Sequence, residues 1–425
     1  MTLFAEHGQL LLIIACAFGL FMAWGVGAND VSNAMGTSVG SRALTMKQAI
    51  IIAMVFEFAG AYLAGGEVTE TISSGIVELG VMQAHPELLV YGMLASLLAA
   101  ASWLLIANAL GWPVSTTHSI VGAIIGFAAV GISVDAVQWD QVWGIVGSWI
   151  VTPVIAGIFS FWIFRSVRFL ILDSDDPFAN AKHYIPFYMF AVGFLLSMVT
   201  LLQGLSHVFK AQHIEFTFFE AMMIAAVIGI LVAIIGVFLL RRVVKDTHAD
   251  KTNRFASVER VFGVLMIFTA CAMAFAHGSN DVANAVGPMA AVINVVNQGA
   301  VEAKVSVASW MLLLGAAGIV LGVATYGYKV MITIGQKITE LTPSRGFAAE
   351  MSAAATVVLA SGFGLPISTT HALVGALLGV GLARGIGALN LRVVGGIFVS
   401  WIITLPAGAG LSVLFFYLFK RLFAQ

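Results

Sequence analysis

Twelve runs of predominantly apolar residues cross the chain, near 8–28, 47–65, 89–110, 114–131, 141–164, 184–203, 216–240, 258–278, 303–325, 347–362, 367–383 and 393–418. Each is about as long as the roughly 20 residues a helix needs to cross a bilayer. Lipid offers no partner to an unpaired N–H or C=O, so such runs are predicted to be α-helices. The polar stretches between them, of which 165–183 and 241–257 are the longest, are too short to fold alone. The pattern predicts an all-α polytopic membrane protein of about twelve segments.

The apolar pattern also repeats. GVGANDVSNAMG (25–36) returns as AHGSNDVANAVG (276–287), and WPVSTTHSIVGAIIG (112–126) returns as LPISTTHALVGALLG (365–379). SWIVTP at 148 returns as SWIITLP at 400. The shifts are 251, 253 and 252 residues, which implies one duplicated unit. We divide the chain into a first repeat (1–165), two linking helices with a loop (166–257), and a second repeat (258–425). Runs 89–110 and 114–131 are separated only by Gly111, Trp112 and Pro113. They are either two crossings or a re-entrant hairpin, and 347–362 with 367–383 pose the same choice. The hydroxyl-rich tips PVSTTH and PISTTH favour hairpins, because irregular backbone at depth is tolerated where it lines a cavity.

Composition agrees with the pattern. Of the 425 residues 60% are hydrophobic and 10% charged, against roughly 25% charged in a soluble domain, and the mean hydropathy is +1.00. A soluble enzyme, a nucleic-acid binder and a disordered scaffold are excluded. The net charge is -1. Cys16 and Cys271 lie inside apolar runs and suggest neither a disulfide nor a metal site.

Basic residues orient membrane proteins, the cytoplasmic side carrying more of them. Arg241, Arg242, Lys245, Lys251, Arg254 and Arg260 place the central loop inside. Arg42, Lys47, Arg165, Arg168, Lys182, Lys329, Lys337, Arg345, Arg384 and Arg392 then also fall inside, which makes 16 of the 20 bases, with Lys210, Lys304, Lys420 and Arg421 as exceptions. Both termini are expected outside. The first run then enters while its counterpart at 258–278 leaves, so the repeats are inverted, as in alternating-access transporters with a midplane site.

The candidate chemistry lies in the repeated words. Asp30 and Asn33, like Asp281 and Asn284, are spaced to share one helix face. An acid at membrane depth is costly and marks a functional site. Helix capping accounts for one such motif, but does not require Asn-Asp-x-x-Asn twice. Ser115, Thr116, Thr117 and Ser368, Thr369, Thr370 each follow a proline run-in at a helix start, where hydroxyls and free N–H groups suit an anion. The bland alternative is a hydroxyl bonding back to its own helix. His118 and His371 are read as packed residues that orient the tips. Glu57 and Glu350 are either hydrogen-bonded packing acids or cation or proton ligands. No Lys or Arg stands at the centre of these segments. An anion there must rely on hydroxyls, helix N-termini and a co-bound cation, which is the logic of a symporter. No nucleophile–base set or histidine cluster suggests an enzyme.

At these words the chain resembles the inorganic phosphate transporter family, over nearly its whole length and with both repeats in order. The resemblance implies twelve segments with two helical hairpins, a homodimer in the cell membrane, and phosphate import coupled to a cation. It implies phosphate contacts from Ser115, Thr116, Thr117, Ser368, Thr369 and Thr370. Asp30, Asn33, Asp281 and Asn284 serve the phosphate and sodium sites. We assign Asn33 and Asn284 to phosphate, and Asp30, Asp281, Asn29, Asn280, Glu57 and Glu350 to sodium. The GAND and AHGSND words look like the sodium-coupled branch; other branches are proton-coupled or carry sulfate. No cofactor beyond the co-transported Na+ is expected.

Overall fold

A computed structural model describes residues 2–204, 216–246, 253–302, 305–331, 341–385 and 391–423. Lys210, Lys251, Lys304 and Lys337 of the orientation argument lie outside these described residues. The first half contains α1 (Thr2–Gly40), α2 (Met46–Ala64), the short α3 (Gly66–Ser74) and α4 (Leu79–Met82), α5 (Pro86–Leu110), α6 (Thr116–Gly126) and α7 (Trp139–Val167). Two linking helices follow, α8 (Pro177–Val199) and α9 (Phe218–Arg241). The second half contains α10 (Ala256–Asp281), α11 (Ala283–Gln298), α12 (Ser309–Thr325), α13 (Pro343–Gly362), α14 (Thr369–Arg384) and α15 (Leu391–Phe423).

Each of the twelve apolar runs is helical over most of its described residues, but only eight of the described helical stretches are long and apolar enough to cross a membrane; Thr116–Ile132 and Ser309–Thr325 are shorter apolar helices. The two differences from expectation have one cause. Helix α1 runs unbroken through the Asn-Asp motif to Gly40, and α11 forms over residues outside every apolar run. Both stretches are polar or proline-interrupted, yet almost wholly buried. Neighbouring helices enclose them, so packing replaces the apolar face that lipid would demand. The second copy of the motif is broken once, at Val282 between α10 and α11.

Packing repeats as the sequence does. Helix α1 lies against α12 and α10 against α2; α6 lies against α15 and α14 against α7. Two glycines set the first crossings. A Cβ at Gly27 would strike the Ile319 carbonyl, and one at Gly278 would strike the Glu57 carbonyl. The crossings therefore bring backbone against backbone, the role of small residues between membrane helices. Two Gly-x-x-x-Gly pairs make similar contacts: Gly122 and Gly126 meet Leu405 and Ala409, while Gly375 and Gly379 meet Pro153 and Gly157.

Each STT segment caps the second arm of a helical hairpin. Helix α5 stops at Gly111, which takes the left-handed φ of 66° that glycine adopts without strain. Four residues later Ser115 starts the return arm, its hydroxyl accepting the His118 N–H at 3.2 Å. In the second hairpin Gly364 has φ 66°, and Ser368 accepts the His371 N–H at 3.3 Å.

Candidate functional site

The two hairpin tips meet inside the protein beside the two Asn-Asp motifs. Thr117 donates to the Ile367 carbonyl at 2.9 Å, and Thr370 to the Val114 carbonyl at 3.4 Å, so each tip bonds to the main chain of the other. The aspartates bind the tip of their own half. Thr116 donates to Asp30 Oδ2 at 2.6 Å, and Thr369 to Asp281 Oδ2 at 2.8 Å. The second asparagines reach the opposite tip. Asn33 Nδ2 donates to Thr370 Oγ1 at 2.7 Å and to Asp30 Oδ1 at 3.1 Å. Asn284 Nδ2 lies 3.3 Å from Thr116 Oγ1, 3.4 Å from Thr117 Oγ1 and 3.3 Å from Asp281 Oδ1. Five helices spread over the chain, α1, α6, α10, α11 and α14, thus converge on one cluster, with closely similar bonding in the two halves.

Asn29 and Asn280 act elsewhere. Asn29 Nδ2 donates to the Asn108 side chain and to the Trp112 carbonyl at 3.1 Å, and its Oδ1 accepts the Val114 N–H at 3.3 Å. Asn280 Nδ2 donates to Ser361 Oγ at 2.9 Å and the Leu365 carbonyl at 3.1 Å. Both amides clamp a hairpin rather than face the carboxylates. Ser115 and Ser368 are helix caps; the tip hydroxyls that reach the aspartates are those of Thr116, Thr117 and Thr369, while Thr370 accepts from Asn33.

Glu57 and Glu350 occupy different places. Glu57 Oε1 lies 3.2 Å from His277 Nδ1, and His277 Nε2 lies 3.2 Å from Asp281 Oδ2 and 3.9 Å from Asp30 Oδ2. One carboxylate oxygen of each aspartate and a His277 nitrogen all sit within 4.8 Å of one another. Glu57 therefore stands behind the site, reaching it through His277. Glu350 builds a separate cluster further along α1: Oε1 accepts from Thr37 and from Ser38 at 2.6 Å, and Oε2 from Thr269 at 2.6 Å. All five acidic or imidazole groups (Asp30, Glu57, His277, Asp281, Glu350) are fully buried.

Sequence reasoning did not single out His277, Asn108, Ser361, Thr37, Ser38 or Thr269. His277 stood inside the repeated AHGSND word, and Asn108 was a lone amide in an apolar run; the others carried no signal of their own.

The electrostatics follow from the inventory. Among the described residues no Lys or Arg is buried. The N-termini of α6 and α14 both point into the cluster, bringing partial positive charge and free N–H groups suited to an oxyanion. The Asp30 and Asp281 oxygens lie within 4.8 Å of each other, so when both groups are ionised they repel by about 3.5 kcal/mol or more at an effective dielectric of about 20. Asn33 Oδ1 and Asn284 Oδ1 have no hydrogen-bond partner. Unused acceptor oxygens beside two carboxylates suit a hard cation, and hydroxyl donors on helix N-termini suit an anion.

Residues 26–412 match the model of the phosphate transporter family. The chain belongs to that family. The transporter is 52% identical over 428 residues to a protein of Haemophilus influenzae provisionally named a phosphate permease, with all of both chains covered. It is 40% identical to the chloroplastic inorganic phosphate transporter 2-1 of Arabidopsis thaliana, covering 97% of this chain and 73% of that one. A solved structure of a protein named the sodium-dependent phosphate transporter superposes with a TM-score of 0.88 at 41% identity, covering 97% of this chain and 99% of that chain. The protein is accordingly a multi-pass membrane transporter and not an enzyme.

Proposed function

We propose that this transporter imports inorganic phosphate by symport with sodium, through alternating access at a midplane site between two inverted repeats. The observation that carries the proposal is the joint cluster of Asp30, Asp281, Thr116, Thr117, Thr369 and Thr370, where cation ligands and anion donors occupy one buried space. Sodium beside Asp30 and Asp281 relieves the carboxylate repulsion; Asn33 and Asn284, assigned to phosphate from the sequence, turn their free oxygens to the cation in this reading. Phosphate then lies on the threonines and the N-termini of α6 and α14. The Glu350 cluster, with three hydroxyls and one carboxylate, is read as a further cation position. Asn29 and Asn280, whose place beside the aspartates suggests sodium ligands, serve as hairpin clamps in this reading.

The topology belongs to the same proposal. Halves 1–165 and 258–425 are inverted about the linking region 166–257, the hairpins are re-entrant, both termini lie outside, and the chain works as a homodimer. Support comes from the basic residues gathered on one side, the mirrored bonding of the two halves and the likeness to a transporter named for its sodium dependence.

The test is uptake of labelled phosphate by the purified protein in proteoliposomes. Uptake is expected to require an inward sodium gradient. Uptake indifferent to sodium and driven by a proton gradient overturns the coupling, and strong competition by sulfate overturns the substrate. The rival reading, a proton-coupled phosphate or sulfate symporter, is distinguished by the same two arms.

A further inference from the structure

Behind the hairpin tips, on the side away from the aspartates, a cavity of about 820 Å³ opens between α7, α14 and α15. Its walls are Val154, Ile158, Leu378 and Ile402, among other apolar residues, and no Lys, Arg, Asp or Glu lines it among the described residues. Its lip faces outward: Ile158 is 51% and Ile402 71% exposed, which in a membrane span means lipid.

The floor has a different chemistry. His118, Trp149, His371 and Trp401 form a chain of rings, His118 against Trp149 at 3.8 Å, against His371 at 4.5 Å, and His371 against Trp401 at 3.5 Å. All four are at least nine-tenths buried. Among the ring nitrogens of the two histidines and Trp401, His371 Nδ1 is satisfied, 3.0 Å from the Trp149 carbonyl. His118 is held by the Trp401 main chain, whereas His371 Nε2 and Trp401 Nε1 have no partner in hydrogen-bonding geometry, although buried polar groups ordinarily find one.

An apolar cavity of this size with a few convergent polar groups has the anatomy of a small-molecule site. Its chemistry narrows the occupant. A charged headgroup has nothing here to replace its hydration. A bare hydrocarbon leaves the nitrogens unpaired. Water needs two to four polar partners and can be held at the floor but not along the apolar walls. We propose that the cavity binds a neutral single-chain lipid entering from the bilayer, its hydroxyl or carbonyl head on the His–Trp floor and its chain along α7 and α15.

The floor also borders the tips in sequence. His118 follows Thr117 directly and His371 follows Thr370, so a bound lipid braces the residues that carry the tip threonines. The binding stands independently of the phosphate reading; this effect on uptake rests on it.

The probe is a photoreactive diazirine analogue of a monoacylglycerol, applied to the full-length protein in liposomes and mapped by mass spectrometry. Labelling is expected on the facing parts of α7, α14 and α15, competed by excess unlabelled monoacylglycerol. It is expected to fall at least fivefold in Ile158→Trp, which fills the lip without touching the tips, and in Trp401→Phe, which removes one donor. Labelling that is scattered over the lipid-facing surface, not competed and unchanged in Ile158→Trp overturns the site. So does an absence of labelling above background, the result for a cavity holding water alone. A disulfide between two copies of a Val154→Cys protein with no labelling assigns this face to an interface between copies and overturns it too. Added monoacylglycerol is expected to lower the KM for phosphate about threefold; unchanged KM with intact labelling keeps the site and removes the brace.

Discussion

The two halves of the transporter make the same cluster and differ in what stands behind it. In the first half Gly27 of α1 crosses Ile319 of α12; in the second half Gly278 of α10 crosses Glu57 of α2. Shifting by 251 residues places Val26 opposite His277. One crossing is therefore backed by Val26 and Ile319, the other by His277 and Glu57. The same holds for Glu350: a shift of 253 residues gives Leu97, which is buried and apolar. Duplication explains the shared threonines, asparagines and aspartates, because both tips must be held in the same way. The single glutamates and the single histidine mark where the two halves differ in sequence.

The comparison can be broken by substitution. The largest effect is expected at the mirrored aspartates. Asp30→Asn and Asp281→Asn are each expected to lower phosphate uptake at least ~100-fold, about 2.7 kcal/mol, while the protein elutes as a folded species on size exclusion. Near-normal uptake in either breaks the equivalence of the halves. Glu57→Gln comes next, with a loss of tens-fold, while its counterpart Ile319→Val changes uptake less than about twofold; equal effects on uptake rate would deny the asymmetry. Thr116→Ala and Thr369→Ala each remove one hydroxyl from a carboxylate, a bond of about 1.5–3 kcal/mol, and are expected to reduce uptake at least tenfold by similar amounts. Phosphate titrations of the two variants side by side would expose any inequality.

Much of this was legible because the words repeat. The Asp-x-x-Asn spacing and the paired STT tips were recognisable before any contact was known, and the tips do meet the aspartates. What could not be read was decided by partners far apart in the chain. Nothing local marks Thr37, Ser38 and Thr269 as the partners of Glu350, 81 to 313 residues away. Asn29 and Asn280 looked like ligands because they adjoin the aspartates, but successive positions on a helix point to different faces, and each turns to its hairpin. Glu57 was visible as a buried acid, while its link through His277 exists only once α2 and α10 cross. Helix α11 was missed because its apolar pattern is interrupted by Pro288, which the surrounding helices accommodate.

Two smaller effects sharpen the comparison at the level of stability. Gly27→Ala and Gly278→Ala each place a methyl against a carbonyl, and overpacking of this kind costs about 1–3 kcal/mol; both are expected to melt several degrees lower. A drop in one alone would show that one crossing has slack. The smallest effect is at a helix start. Thr45 and Gln48 form a reciprocal cap on α2, whereas α12 begins at Ala308 with no side-chain cap. Thr45→Ala is expected to cost about 1 kcal/mol with phosphate uptake unchanged, read as a small shift in the melting curve.

The tip-to-tip bonds have a mechanical meaning. Since Thr117 holds the main chain at Ile367 and Thr370 holds it at Val114, neither hairpin can swing away while the other stays fastened. Under the proposed alternating access the two doors share one latch, and the same pair of bonds must give way whichever side of the membrane the cargo leaves by.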